Sequence, residues 1–408
     1  MNHLDKTTLT RTGGGAFAVS LTSTQISDVS ERKSFSARDS AFELMRIVCL
    51  LMIVSHHFVV HGGTFDQVAT PSLHTFIRDA FTMNGKVGVD GFVLISGYFL
   101  CESRGGWVRR IVRLCVQTTT FALGILLVLW MLGKWHPTPI DILSSTFPLV
   151  FNVWWFASSY LGLLVVAPLL VAALHNLSRE THRAVLVGGL VLFSILPTVT
   201  NQNSWSSNLA WFCYLFLLAS YVRRYFSLQK GRWWAWLGLT AFSYLVAVGM
   251  AERLMLHTVP APWNKLFTMP LNNVNWLPTF VAAFGLFMAF RAMHIRRMRV
   301  INLVASSTFG IYLIHDQPHV RNLLWGWLAP SAHFKGSGFY PYALVCVVGV
   351  FCAASAIALV HEQVIMRLFD MSWRKAVEKK QQSHTAAIEV SSPDTVAIGD
   401  HGHVDPTG

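Results

Sequence analysis

The sequence predicts an all-α fold, a polytopic membrane helical bundle of about ten transmembrane helices with both termini cytoplasmic. Three observations carry that expectation. The 408 residues are 53% hydrophobic and only 13% charged, where soluble domains carry about 25% charged residues. The apolar residues gather into ten segments near 42–61, 87–101, 111–132, 153–174, 184–199, 208–226, 233–250, 275–291, 300–314 and 341–362. Basic residues alternate between the intervening loops. With the N-terminus inside, all but seven of the 32 Lys and Arg fall in inside segments, the exceptions being Arg78, Lys86, Lys134, Arg253, Lys265, Arg321 and Lys335. So strong a bias over short loops fixes orientation. It also assigns the net charge of +12 to topology, with no nucleic-acid partner expected.

Residues 1–40 are polar and rich in Ser, Thr and Gly, without the apolar stretch of a signal peptide; they read as a disordered cytoplasmic leader. Residues 41–366 form the transmembrane domain, and 367–408 a cytoplasmic C-terminal tail, mostly disordered. The segments 87–101, 184–199 and 300–314 fall short of the ~20 residues that a perpendicular helix needs. Short or interrupted spans are tolerated where protein or a cavity surrounds them. Trp and Tyr cluster near span ends, as in an aromatic belt. The six cysteines lie in the spans or at their cytoplasmic ends, so no disulfide framework is expected. No Gly-x-x-x-x-Gly-Lys-Ser/Thr motif appears, which argues against ATP as a driving force.

The first span carries the densest chemistry. Arg46 and His57 stand eleven residues apart. On an α-helix that is ~20° past three full turns and roughly 16 Å along the axis, so the two share a face. Glu43, three residues before Arg46, lies near it. Titratable groups inside a membrane segment are costly and mark function by default. The second informative stretch is Gly88–Leu100, where Asp90, Ser96 and Tyr98 enter a span and Gly88, Gly91 and Gly97 permit close packing. The third is Arg109-Arg110-Ile-Val-Arg113. Arg110 and Arg113 are i,i+3 at a cytoplasmic boundary, suited either to anchoring or to holding a phosphate-rich anion. The fourth, Ser307–Asp316, brings Tyr312, His315 and Asp316 to the outer end of a short span. The fifth, Trp154–Pro168, has a polar patch at Ser158, Ser159 and Tyr160 and reads as core. His57 and His61 are spaced i,i+4, as in zinc helices, but no His-Glu-x-x-His frame and no Cys or Asp cluster accompanies them, and no metal is expected.

These five segments, in this order, resemble the acyltransferase-3 family of bacterial membrane proteins, which includes O-acetyltransferases of O-antigens and exopolysaccharides. The resemblance spans roughly residues 38–365. It implies that His57 is the essential histidine and Arg46 its partner, with Glu43 where the family often has Asp. It makes Arg110 and Arg113, with Arg38 upstream, the acyl-CoA-binding set. Ser96, Tyr98, Asp90, Tyr312 and His315 are candidate oxyanion or acceptor contacts. The shared face favours His57 over the adjacent His56. Gly91 and Val93 depart from the large apolar residues usual in the family.

The implied activity is transfer of an acyl group, most often acetyl, from cytoplasmic acyl-CoA to a hydroxyl of an envelope polysaccharide or lipid-linked glycan. The enzyme would sit in the bacterial cytoplasmic membrane, with acetyl-CoA as donor substrate and no bound cofactor. His57 would serve as general base or as covalent acyl carrier. The alternative class is a transporter or flippase of a sugar or lipid-linked oligosaccharide, which intramembrane charge and a broken span also suit. CoA dependence separates the two.

Overall fold

The computed structural model describes residues 39–67, 70–227, 231–256, 271 and 273–391. Arg38 and nearly all of the leader lie outside these residues. Every regular element among the described residues is helical. In chain order they are α1 (Ser40–Val60), α2 (Leu73–Leu100), α3 (Trp107–Met131), α4 (Pro139–Thr146), α5 (Trp155–Asn176), α6 (Arg179–Leu190) and α7 (Leu196–Thr200). Then follow α8 (Asn208–Tyr225), α9 (Trp233–Leu256), α10 (Leu277–Ala292), α11 (Arg299–Ser306), α12 (Thr308–His315), α13 (Pro318–Leu328), α14 (Pro330–His333), α15 (Phe339–His361) and α16 (Arg367–Ser391).

Each of the ten apolar segments contains helix. Six stretches are long and apolar enough to cross a bilayer: Ser40–Val60, Trp107–Met131, Trp155–Asn176, Arg179–Thr200, Trp233–Glu252 and Phe339–Lys379. Their outward faces stay apolar; Leu169 of α5 and Val345 of α15 are 70% and 68% exposed. Such a face is matched to lipid rather than water.

Three expectations need correction. The segment at 87–101 is the C-terminal half of a 28-residue helix that starts at Leu73. Ser72 Oγ accepts from the Thr75 N–H (3.3 Å), and Thr75 Oγ1 accepts from the Ser72 N–H (2.8 Å). This reciprocal cap nucleates the helix before the apolar run begins. Lys86 therefore sits inside α2 and not in an outside loop.

The segment at 300–314 is two short helices broken at Ser307. There Ser307 Oγ donates to the Val304 carbonyl (2.7 Å) and Thr308 Oγ1 to the Ala305 carbonyl (2.8 Å). Hydroxyl groups that bond the local backbone compete with the helical ladder. The C-terminal tail is also more ordered than expected. Helix continues from α15 through a π-turn at Glu362–Met366 into α16, which ends at Ser391.

α1 and α2 make the central pair; α8, α9 and α10 pack on α2, and α11, α12 and α15 on α1. Close approach depends on Gly88, where a Cβ would lie 2.5 Å from the Cys49 carbonyl oxygen. At Gly97 a Cβ would lie 2.8 Å from Cα of Phe216 on α8. Small residues at such contacts let helix backbones meet.

Polar cross-links fix the arrangement. Asn84 of α2 donates to Ser55 Oγ of α1 (2.9 Å) and accepts from the Tyr244 hydroxyl of α9 (2.7 Å). Pro197 lacks the N–H that would bond the Phe193 carbonyl. Asn275 Nδ2 donates to that carbonyl instead (2.8 Å), tying the α6–α7 helix to the start of α10.

Candidate active site

His57 lies one turn from the C-terminal end of α1, buried. Its Nδ1 is 2.9 Å from Nε2 of His315, the last residue of α12. Its Nε2 faces Asp316 Oδ1 at 3.6 Å. Asp316 follows α12 directly because Pro318 opens the next helix, capped by the Gln317 side chain, which accepts from the Val320 N–H (2.9 Å). The residue before a proline disfavours helix, so the chain must turn here. That turn holds His315 and Asp316 side by side against His57.

Arg321 Nη1 donates to Asp316 Oδ1 at 3.4 Å. Tyr312, one turn back on α12, packs edge-on to Phe156 (ring centroids 5.7 Å) and His315 (6.4 Å). Lys86 of α2 lies within electrostatic reach of His57, Asp316 and Asp90. Asp90, one turn along α2, is fully buried and accepts from Trp211 Nε1 at 2.9 Å.

The neighbouring histidines divide clearly. His56 Nδ1 donates to the Thr82 carbonyl (2.7 Å), so it braces α1 against α2 and turns away from His315. His61 lies just past α1, its ring 5.0 Å from that of His57. It is the most solvent-open of the set. His57, His61 and Asp316 bring ligand-type atoms within 4.8 Å of one another. Asp316 thus supplies an acid that the local sequence around His57 lacks. Arg321 and Lys86 put two cations against the same groups, and that charge opposes a divalent ion.

The other expected residues lie elsewhere. Arg46 pairs with Glu43 at 2.6 Å, near the N-terminal end of α1 and about three turns from His57. Ser96 accepts from the Tyr160 hydroxyl (3.3 Å). The Tyr98 ring packs tilted against Phe42 and edge-on to Phe99 and Phe287, with the Arg223 guanidinium 4.6 Å from its centre.

Arg110 donates to the Gly105 carbonyl and to Ser103 Oγ, both at 2.7 Å. Arg113 is ion-paired to Glu362, and its Nε is 3.9 Å from Asp370, which also pairs with Arg109 at 2.8 Å. An anion that engages Arg113 must displace those carboxylates. The structure thus gathers His57, His315 and Tyr312, with Asp90 one turn of α2 beyond Lys86. It leaves Arg46, Glu43, Ser96, Tyr98, Arg110 and Arg113 in separate clusters.

Sequence reasoning did not single out Lys86 or Arg321 as site residues. The usable signal for Lys86 was its i,i+4 spacing to Asp90, which only helix continuity before residue 87 makes meaningful.

A helical bundle with apolar outer faces and a buried imidazole–carboxylate centre defines a membrane protein that carries titratable chemistry within its membrane domain. The family model described as an acyltransferase domain matches residues 39–359, and the chain belongs to this acyltransferase-3 family. It is a membrane acyltransferase. No curated protein and no solved structure matches the chain.

Proposed function

We propose that the protein moves an acyl group, acetyl first among the candidates, from cytoplasmic acyl-CoA to a hydroxyl of an envelope glycan or lipid-linked glycan precursor. One observation carries the reading. The imidazole of His57 is buried near the C-terminal end of α1 with a carboxylate 3.6 Å from Nε2, inside a domain of the acyltransferase-3 family. A hydroxyl is a poor nucleophile until a base takes its proton, and histidine is the side chain suited to that near neutral pH.

In the step we envisage, the acceptor proton passes to His57 Nε2 and the hydroxyl oxygen attacks the thioester carbon. The C–S bond then breaks, and the departing thiolate takes the proton back. Asp316 stands beside the nitrogen that becomes positive. Lys86 offers positive charge where the tetrahedral oxyanion forms, a preorganised contribution of the kind that lowers acyl-transfer barriers. Covalent carriage of the acyl group on Nε2 uses the same nitrogen.

Donor phosphates would enter from the cytoplasmic side, where Arg110 and Arg113 lie and where the sequence places Arg38. Ten crossings, cytoplasmic termini and a place in the bacterial cytoplasmic membrane belong to the same reading, supported by the distribution of Lys and Arg.

The test is free-thiol release from acetyl-CoA by the purified protein in detergent, with and without envelope glycan, beside His57→Ala. Release that rises with glycan and requires His57 is expected. A folded protein that neither releases thiol nor binds CoA would overturn the reading in favour of transport.

A further inference from the structure

The hydrogen bonds around His57 form a directed chain, and the direction has a chemical consequence. The Ile311 carbonyl can only accept. His315 Nδ1 lies 2.6 Å from it and must therefore carry a proton. In its neutral form His315 then has its lone pair on Nε2. His57 Nδ1 is 2.9 Å from that nitrogen. Two ring nitrogens share a hydrogen bond only when one of them donates, so His57 Nδ1 is the donor. Neutral His57 has spent its one proton, and its Nε2 is left bare, facing Asp316 Oδ1 across 3.6 Å. That gap is longer than an ordinary N–H···O hydrogen bond, as expected for a lone pair facing a carboxylate.

The opposite assignment fails at the far end. If His315 Nε2 donated to His57, neutral His315 would turn a lone pair toward the Ile311 oxygen at 2.6 Å. Protonating both of its nitrogens would instead charge a ring that is 1% exposed, a costly burial. The neutral dyad admits one arrangement.

We infer that His315 is a positioning residue: anchored by the Ile311 carbonyl, it holds the proton of His57 on Nδ1 and thereby makes Nε2 the reactive nitrogen. This rests on the proposed role of His57 in acyl transfer. It assigns to a neutral imidazole the orienting task that an acceptor on the far nitrogen performs for other catalytic histidines. It also explains why His315 and Asp316 are adjacent. One sets the tautomer through Nδ1, and the other receives the charge at Nε2.

The experiment compares His315→Gln with His315→Leu. The glutamine carbonyl can reach the place of Nε2 and accept from His57; leucine cannot. Thiol release should fall on the order of 10²- to 10⁴-fold in kcat for His315→Leu. Its KM for acetyl-CoA should change less than about twofold, because the donor phosphates bind at the cytoplasmic end. His315→Gln should stay within about tenfold of wild type. Equal losses in the two variants, or a leucine variant as fast as wild type, would overturn the inference while His57→Ala still tests the acyl-transfer reading separately.

A second readout needs no turnover. In ¹⁵N-histidine-labelled protein, His57 should show an unprotonated Nε2 and a protonated Nδ1, with the tautomers mixed in His315→Leu. A His57 protonated at Nε2 in the wild type would refute the inference whatever the activity assay gives.

Discussion

The contact between α1 and α2 at Gly88 allows a prediction in which packing and chemistry can be read separately. In Gly88→Ala the new Cβ would meet the Cys49 carbonyl oxygen at 2.5 Å and Ile53 Cγ1 at 3.0 Å, whereas ordinary contacts begin near 3.4 Å. The nearest atom belongs to the backbone, so no side-chain rotation relieves the clash. The helices must separate by about 0.9 Å, the shortfall at that contact. Overpacking of this kind costs about 1–3 kcal/mol.

Alanine also favours helix over glycine by about 1 kcal/mol, which partly masks the cost. Gly124→Ala supplies the reference. Gly124 lies within α3, and a methyl group there would have no neighbour within 4 Å, so it gains the propensity without the clash. The packing penalty is the difference between the two variants. Thermal unfolding in detergent, followed by tryptophan fluorescence, should place Gly88→Ala below wild type and Gly124→Ala at or above it.

Activity should follow. His57 lies eight residues beyond Cys49, about 12 Å along the same helix. A shift approaching 1 Å between His57 and its partners on α12 can cost about 10²-fold. Thiol release measured well below the melting temperature should fall accordingly. If Gly88→Ala melts and turns over like Gly124→Ala, the tight α1–α2 contact is not what positions His57.

Three further outcomes follow from the same geometry. Lys86→Met should lower kcat on the order of 10²-fold, and Lys86→Arg should recover part of it, as expected for a charge facing an oxyanion; wild-type turnover by Lys86→Met would remove Lys86 from the mechanism. Arg113→Ala should raise the KM for acetyl-CoA, whereas Glu362→Gln, which frees the same guanidinium from its carboxylate, should lower it. Parallel changes in that pair would show that Arg113 braces α3 against the π-turn at Glu362–Met366 and does not hold the donor. Trp211→Phe strips the buried Asp90 carboxylate of its indole donor and should destabilise the protein by about 1–3 kcal/mol. Asp90→Asn should make the same tryptophan change less costly, and strict additivity in the melting data would refute the coupling.

The local sequence made several features legible. The apolar runs marked where helices form, because a chain with so little charge must satisfy its backbone within the segments it buries. The order of the five motifs pointed to the acyltransferase-3 family, which the match over residues 39–359 shows. His57 stood out against His56 through the face it shares with Arg46. In the structure that stripe divides: Arg46 is held by Glu43 at one end, and His57 meets α12 at the other.

Element boundaries were harder wherever polar residues continued a helix. Lys86 reads as a loop residue until the cap at Ser72 is seen to start α2 so early. The tail reads as polar and unstructured, yet helix runs on through Arg367–Ser391.

By itself, the sequence determined the helical, membrane-suited character of the chain and its family, and it singled out His57 as the candidate histidine. These depend on composition and on spacings within one helix, where 3.6 residues per turn fixes which side chains are neighbours. Only the tertiary structure decided what that histidine touches. His315 stands 258 residues from His57 in the chain, and no local periodicity relates them. Their 2.9 Å approach follows from packing α12 and α15 on α1, from the break at Ser307, and from the turn that Pro318 imposes after Asp316.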